Sequence, residues 1–197
     1  MPALRLPLIL GYACIYETVY LHKQRSGQRL NEKSVTGCFD RGLAVGGNRQ
    51  ALVNHEWSRT VAQERDGSLR LFSDRAGLIC VVDPNVRPEG GKVVHAIQSG
   101  LCRGMSYDSD DVTQETTWYF NPLVIIVESH LKEVSFVLDG EKPANNLTGA
   151  WLENDLRHVP VRATRRAATA TIPQRLRANL AELLASGRLN GLFPQRR

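Results

Sequence analysis

The sequence has no long hydrophobic run. None of its 197 residues belongs to a stretch approaching the roughly 20 apolar residues that a membrane-spanning helix needs. The N-terminal apolar segment is interrupted by Arg5 and Pro7 and has no basic region ahead of it, so neither a secretory signal nor a membrane partner is expected. With 42% hydrophobic and 23% charged residues, the composition is typical of a globular chain and argues against global disorder.

Cysteine is also scarce. The four cysteines form no Cys-x-x-Cys pair, and each lies among apolar or small residues. This pattern favours reduced, mostly buried thiols in a cytosolic protein over a disulfide framework. The five histidines do not cluster with the cysteines, so no metal site is predicted, and no cofactor is expected.

The C-terminal segment has almost no acidic residues. Residues 157–197 contain nine arginines, no lysine and one glutamate, a net charge of +8, so the preceding 156 residues carry −3 of the total of +5. A basic tail on a slightly acidic body suggests an acidic partner, either nucleic acid or a protein surface, and the alternative is a solvated tail that aids solubility. Nucleic acid is not favoured, because the tail lacks the interleaved aromatic residues that single-strand binding favours.

The first 140 or so residues are patterned mainly as short strands with turns. Residues 18–33 are polar and are predicted to be a loop. A helical stripe is formed by Val93, Val94, Ile97 and Leu101. The predicted strands are residues 9–16, 50–53, 68–72, 78–82, 105–108, 116–120, 123–127 and 131–138. The pattern predicts one domain over residues 1–150, of the α+β or mainly β class.

Residues 151–197 are predicted to form a distinct C-terminal segment. Within it, residues 162–171 are rich in Arg, Ala and Thr without apolar periodicity, which indicates a basic linker. Thr171 and Gln174 have the spacing of a capping box, and an amphipathic helix with a leucine face follows. A helix with such a face must pack against something.

Three polar residues lie where a scaffold can present them for chemistry. His55 follows a short apolar strand, Ser106 follows Gly104 where a helix gives way to a strand, and Glu133 interrupts an apolar strand. A buried carboxylate without a partner is costly, so Glu133 either faces water or has a partner such as a histidine. A hydroxyl, a base and a group that orients the base are what a serine peptidase needs. Taken singly, a residue of each of these types in such a position more often has a structural role than a catalytic one.

These residues belong to a series of short motifs in a fixed order. The motifs are Gly11-Tyr12-Ala13, Gly37-Cys38-Phe39, Asn54-His55, the hairpin Gly67-Ser68-Leu69-Arg70-Leu71 with Asp74-Arg75-Ala76-Gly77-Leu78, Gly104-Met105-Ser106-Tyr107, and Glu133-Val134-Ser135-Phe136-Val137. Over roughly residues 9–146, the chain resembles the prohead (capsid maturation) proteases of tailed phages, distant relatives of the herpesvirus assemblins.

The resemblance implies a fold and a role for each residue. The implied fold is an assemblin-type closed or nearly closed β-barrel flanked by helices. His55 would be the general base, Ser106 the nucleophile, and Glu133 the residue that fixes the imidazole. His130 is a lesser candidate for that third position, because the herpesvirus relatives use a second histidine there. The backbone N–H of Arg103 or Gly104 is the candidate donor to the oxyanion.

The resemblance also implies a function. Residues 1–150 would be a serine endopeptidase domain that cleaves scaffold proteins, capsid proteins and itself, inside immature viral shells in the host cytoplasm. Residues 151–197 would be a segment that could be removed, with self-cleavage expected between residues 147 and 172, and relatives suggest a homodimer. The alternatives are a catalytically inactive capsid-assembly or scaffold protein of the same fold and a nucleic-acid binder that uses the C-terminal arginines.

Overall fold

The computed structural model describes residues 5–23, 29–118, 121–145, 147–159 and 171–187. Within these ranges the chain forms ten strands and four helices. In chain order they are β1 (Ile9–Ile15), β2 (Tyr20–Lys23), β3 (Arg29–Ser34), α1 (Asp40–Val45), β4 (Gln50–Val53), β5 (Glu56–Gln63), β6 (Leu69–Ser73), β7 (Gly77–Val82), α2 (Pro88–Gln98), β8 (Gly104–Trp118), β9 (Asn121–Val137), β10 (Gly149–Leu152), α3 (Glu153–Arg157) and α4 (Ile172–Ala185). No helix in the described ranges has the length and apolar character needed to cross a membrane.

The first sheet is antiparallel and is covered on both faces. Its strand order is β10-β1-β7-β6. In β7, Leu78, Cys80 and Val82 enter the main core, whereas Ile79 and Val81 enter a second cluster on the opposite face. This alternation follows the two-residue period of a strand. Burial on both faces explains why β1 and β7 read as nearly continuous apolar runs.

The second sheet is built around one long strand. β9 pairs antiparallel with β8 along almost its whole length. It also pairs in parallel with β3 through its first half and with β4 through its second half. The hairpins β2–β3 and β4–β5 complete the sheet. Because the end of β9 lies between β4 and β8, residues far apart in sequence become neighbours there.

The chain is α+β with mainly antiparallel pairing, but the predicted closed or nearly closed barrel is wrong. In the described part of the chain, neither sheet closes on itself, since β10 and β6 end the first sheet and β2 and β5 end the strand path of the second. A barrel requires backbone hydrogen bonds between its first and last strands. Between β8 and the segment before β10, the hydrogen bonds are made by a side chain and not by the backbone of both segments. The Thr148 hydroxyl accepts from Met105 N–H at 3.0 Å and donates to Met105 O at 2.6 Å.

The C-terminal helix covers the outer face of the first sheet. α4 begins with the predicted capping box, in which Gln174 Oε1 accepts from Thr171 N–H at 2.8 Å and Thr171 Oγ1 accepts from Gln174 N–H at 3.5 Å. Its buried residues Leu176, Leu180 and Ala181 pack with Leu10, Tyr12, Ile79, Val81 and Leu156. The leucine face seen in the sequence therefore packs against the chain's own first sheet.

Replacing Leu180 with alanine is expected to destabilise the protein by about 2–5 kcal/mol, because the fully buried side chain would leave a cavity between α4 and β1. The free energy of unfolding in urea measures the effect. Ile172→Ala, on the same helix but 43% exposed, is the matched control and should change it by no more than about 0.5 kcal/mol. Equal effects of the two substitutions would contradict the packing of α4 described above.

Candidate active site

A two-residue turn between β4 and β5 presents His55. Asn54 and His55 have φ angles of 51° and 62°, the left-handed conformation of a tight hairpin turn, which asparagine tolerates better than most residues. Asn54 Oδ1 accepts from the backbone N–H of Leu138 at 2.8 Å, and Asn54 N–H donates to Phe136 O at 3.0 Å. These bonds fix the turn to the end of β9, so His55 is held above that strand.

The His55 ring pairs with the carboxylate of Glu133. Nδ1 of His55 lies 2.6 Å from Oε1 of Glu133. The carboxylate is 1% exposed, whereas the His55 side chain is 41% exposed. Glu133 thus has the histidine partner that its burial requires. When Nδ1 carries the ring proton and donates a hydrogen bond to the carboxylate, the neutral ring has its lone pair on Nε2. This is the arrangement of a general base.

Strand register places Ser106 beside this pair. Ser106 on β8 lies directly opposite Ser135 on β9, two residues beyond Glu133. Directly opposed residues of an antiparallel pair project to the same face with Cβ atoms about 5 Å apart. Residues two apart in a strand also share a face. Ser106, Ser135 and Glu133 therefore project to one face of the sheet, beside the turn that carries His55.

An open groove runs over this face. Its volume is about 790 Å³, and both His55 and Ser106 line it. The other lining residues are Leu21, Arg29, Asn54, Glu56, Val137, Glu141, Lys142, Pro143 and Ala144. The lining combines apolar and charged side chains around the hydroxyl and the imidazole, which suits a peptide chain bound in an extended form.

Gly104 allows the loop that follows β9 to approach β8. Its φ is 146°, and a Cβ atom there would lie 2.8 Å from Thr148 Oγ1 and 3.0 Å from Pro143 Cγ. The loop in turn places Pro143 and Ala144 in the wall of the groove. The glycine of the Gly-Met-Ser motif is thus required by backbone conformation and by space.

Gly104→Ala is expected to destabilise the fold by about 1–3 kcal/mol, since alanine rarely adopts this φ and its Cβ would displace Thr148. Gly100→Ala is a matched control, because Gly100 also has positive φ but open space around it. Thermal unfolding should show a larger loss of stability for Gly104→Ala than for Gly100→Ala. An equal loss would mean that backbone conformation alone, and not the packing of the loop, requires Gly104.

The cysteine thiols are poor candidates for a nucleophile. Cys14, Cys38 and Cys80 are buried, and Cys102 is half-buried. Burial raises the pKa of Cys14 and of Cys80 to about 12, and it raises the pKa of Cys38 and Cys102 as well. Since the thiolate is the reactive form, the serine in the groove is the better nucleophile.

Comparison with protein families identifies the chain. The sequence profile of the caudovirus prohead serine proteases matches residues 5–160. The chain belongs to this family. The predicted resemblance is confirmed, and the matched span contains His55, Ser106, Glu133 and all ten described strands. A comparison with curated proteins found no match.

The other predicted site residues of this prohead protease bond to groups other than His55 and Glu133. His130 is on β9, but its side chain is 53% exposed and its Nε2 lies 3.2 Å from Glu128 Oε1. The Arg103 amide donates to Val137 O at 2.9 Å, and Gly104 is paired with Val137 in the strand register. In the described ranges, no group of three or more acidic, histidine or cysteine side chains is arranged to hold a metal ion.

Sequence reasoning missed two residues that hold this candidate site together. Asn54 was noted only as the neighbour of His55, and its turn conformation and side-chain bond were not predicted. Ser135 lies inside the Glu-Val-Ser motif and donates from Oγ to Glu133 Oε2 at 2.6 Å. The two-residue spacing from Glu133 was the available signal, because it places both side chains on one face of a strand.

Proposed function

We propose that this prohead protease is an active serine endopeptidase with Ser106, His55 and Glu133 as its catalytic triad. The observation that carries the proposal is the 2.6 Å bond between a half-exposed imidazole and a fully buried carboxylate, on the groove that Ser106 also lines. Burial of the carboxylate makes the pairing stronger than it would be in water. The geometry thus matches the division of roles between base and orienting group in a serine peptidase.

In the proposed mechanism, Ser106 Oγ attacks the carbonyl carbon of the scissile peptide bond. His55 Nε2 accepts the hydroxyl proton and then donates it to the leaving amine, which yields an acyl-enzyme on Ser106. Glu133 holds the Nδ1 proton and stabilises the positive imidazolium that forms. Water, activated by the same histidine, then hydrolyses the ester and restores the hydroxyl.

The proposed substrates are capsid and scaffold proteins, which matches the prohead proteases as a family. The groove is open and mixed in character, which fits an extended segment of another protein better than a small molecule. We place this activity inside immature shells in the host cytoplasm.

The chain itself is a further proposed substrate, and self-cleavage is proposed within residues 160–170. The sequence there is Pro-Val-Arg-Ala-Thr-Arg-Arg-Ala-Ala-Thr-Ala, between α3 and α4. On either side, Leu156 and Leu176 are buried in the same apolar cluster, so a cut in α3 or α4 would require local unfolding.

Labelling of the full chain with a fluorophosphonate tests the proposal. An activated serine is expected to be modified, and peptide mass spectrometry should locate the adduct on Ser106. Absence of labelling, together with no cleavage of a candidate capsid or scaffold protein, would favour the inactive assembly protein. Labelling at another serine would refute the assignment of Ser106 as nucleophile.

A further inference from the structure

We infer that Ser135 is a positioning residue of the active site, whose hydroxyl ties the carboxylate of Glu133 to the backbone of His55. This inference rests on the proposed serine-protease function. It assigns a role to a residue of the Glu-Val-Ser motif that the triad leaves without one.

One hydroxyl makes both connections. Ser135 Oγ lies 2.6 Å from Glu133 Oε2 and 3.0 Å from the backbone nitrogen of His55. The His55 amide can only donate, so the serine oxygen accepts from it, and the hydroxyl proton goes to the carboxylate. The resulting chain runs from the His55 N–H through the hydroxyl to Oε2, while Oε1 binds the ring of the same histidine.

The two bonds constrain different parts of the site. The bond to Oε2 fixes the rotation of the Glu133 carboxylate, so that Oε1 keeps its direction toward Nδ1. The bond from the His55 amide holds the backbone of a residue with φ of 62°, which a non-glycine residue adopts at a cost. The Ser135 oxygen therefore positions both the backbone of His55 and the Glu133 carboxylate that orients the imidazole.

Burial prevents water from replacing this hydroxyl easily. Ser135 is 0% exposed, and it is not among the residues that line the groove. Removing the hydroxyl would leave the buried Glu133 oxygen and the part-buried His55 amide without this partner. Because Ser135 is buried beneath this face and does not line the groove, its loss should reduce the chemical step and leave reversible binding of a ligand nearly unchanged.

Ser129 provides a matched control on the same strand. It is also 0% exposed, and its hydroxyl also donates to a carboxylate, Asp111 Oδ1, at 2.6 Å. Its hydrogen bonds do not reach His55 or Glu133 in the described part of the chain. Ser129→Ala therefore removes a bond from a buried serine hydroxyl to a carboxylate without disturbing the proposed triad.

The test is the rate of fluorophosphonate labelling of the full chain at several probe concentrations, which separates the maximal rate of inactivation from the concentration for half-saturation. Ser135→Ala is expected to lower the maximal rate about 10- to 100-fold through misplacement of the base. The half-saturating concentration should change by less than about twofold, and Ser129→Ala should stay within about twofold of wild type in both values. Thermal unfolding of each variant shows whether it is folded.

Each outcome supports the inference or overturns it. Labelling of folded Ser135→Ala at the wild-type rate, or an equal loss in Ser129→Ala, would show that the hydroxyl does not position the triad. If Ser135→Ala does not fold, Ser135→Thr carries the test, because threonine keeps the hydroxyl. The folded threonine variant is expected to be labelled at a rate within about tenfold of wild type, and a slower rate would overturn the inference. Failure of the wild type to label at all would instead refute the proposed function.

Discussion

Replacing Ser106 with alanine is expected to abolish proteolysis, with a loss of about a millionfold in turnover. The hydroxyl is the atom proposed to form the acyl-enzyme, and alanine leaves His55 and Glu133 with no nucleophile to activate. Intact mass spectrometry over time measures the result. The wild type should lose the mass of the segment beyond residues 160–170, whereas Ser106→Ala should remain whole.

Ser109→Ala serves as the control for the Ser106 experiment. Ser109 lies on the same strand, and its hydroxyl bonds to Asp111. Self-cleavage should proceed in this variant at the wild-type rate. Continued cleavage in Ser106→Ala would show that another residue or a contaminating protease cuts the chain. Equal loss in both variants would point to damage to β8 and not to a missing nucleophile.

Glu133→Gln is expected to lower the rate of cleavage by about three to four orders of magnitude. Glutamine has nearly the same shape as glutamate, so packing around this buried position should be preserved. Its amide carries no charge to stabilise the imidazolium, and its NH₂ group can donate to Nδ1, which favours the tautomer with the proton on Nε2. The measurement is the rate of fluorophosphonate labelling at Ser106, with circular dichroism to confirm the fold.

His130→Gln distinguishes the two candidates for the third catalytic position. The exposed imidazole of His130 is paired with Glu128, so its replacement should leave labelling within about twofold of wild type. The opposite result, with His130→Gln inactive and Glu133→Gln active, would transfer the orienting role to His130. Near-normal activity of both variants would exclude a carboxylate or a second histidine as an essential part of the site.

Local patterns predicted the elements whose signals are local. The strands β1, β4 and β7, helix α2 and the capping box of α4 all lie close to where apolar periodicity or capping residues placed them. The family resemblance carried by the ordered motifs selected His55, Ser106 and Glu133 as candidate site residues. None of these signals could show that Glu133 lies 2.6 Å from His55, because that distance depends on pairing between β4 and β9.

Residues 18–33 illustrate why the remainder was missed. The predicted loop was wrong, since it contains β2 and β3. The sequence of β3, Arg-Leu-Asn-Glu-Lys-Ser, has no apolar alternation and becomes a strand through its backbone bonds to β2 and β9. Likewise, the acidic segment that starts at Asp108 continues β8 because β9 extends beside it. Tertiary pairing overrides local propensity in both cases.

The wrong expectation of a barrel came from the family resemblance and not from a local pattern. Closure depends on whether the end strands of a sheet meet, and no residue encodes that locally. The α+β class followed from counting strands and helices, which is a property of composition and period. The open edges at β6 and β10 became visible only in three dimensions.

The central position of β9 also has a consequence for when the candidate site is assembled. His55 and Glu133 are 78 residues apart, and a strand made late in synthesis joins them. Pairing between distant segments is slow, since the entropy of closing a long loop is lost before the contacts are gained. A nascent chain that ends before β9 contains His55 and Ser106 but lacks Glu133 and the strand that brings them together. The topology therefore sets a delay between synthesis of the chain and assembly of the His55–Glu133 pair.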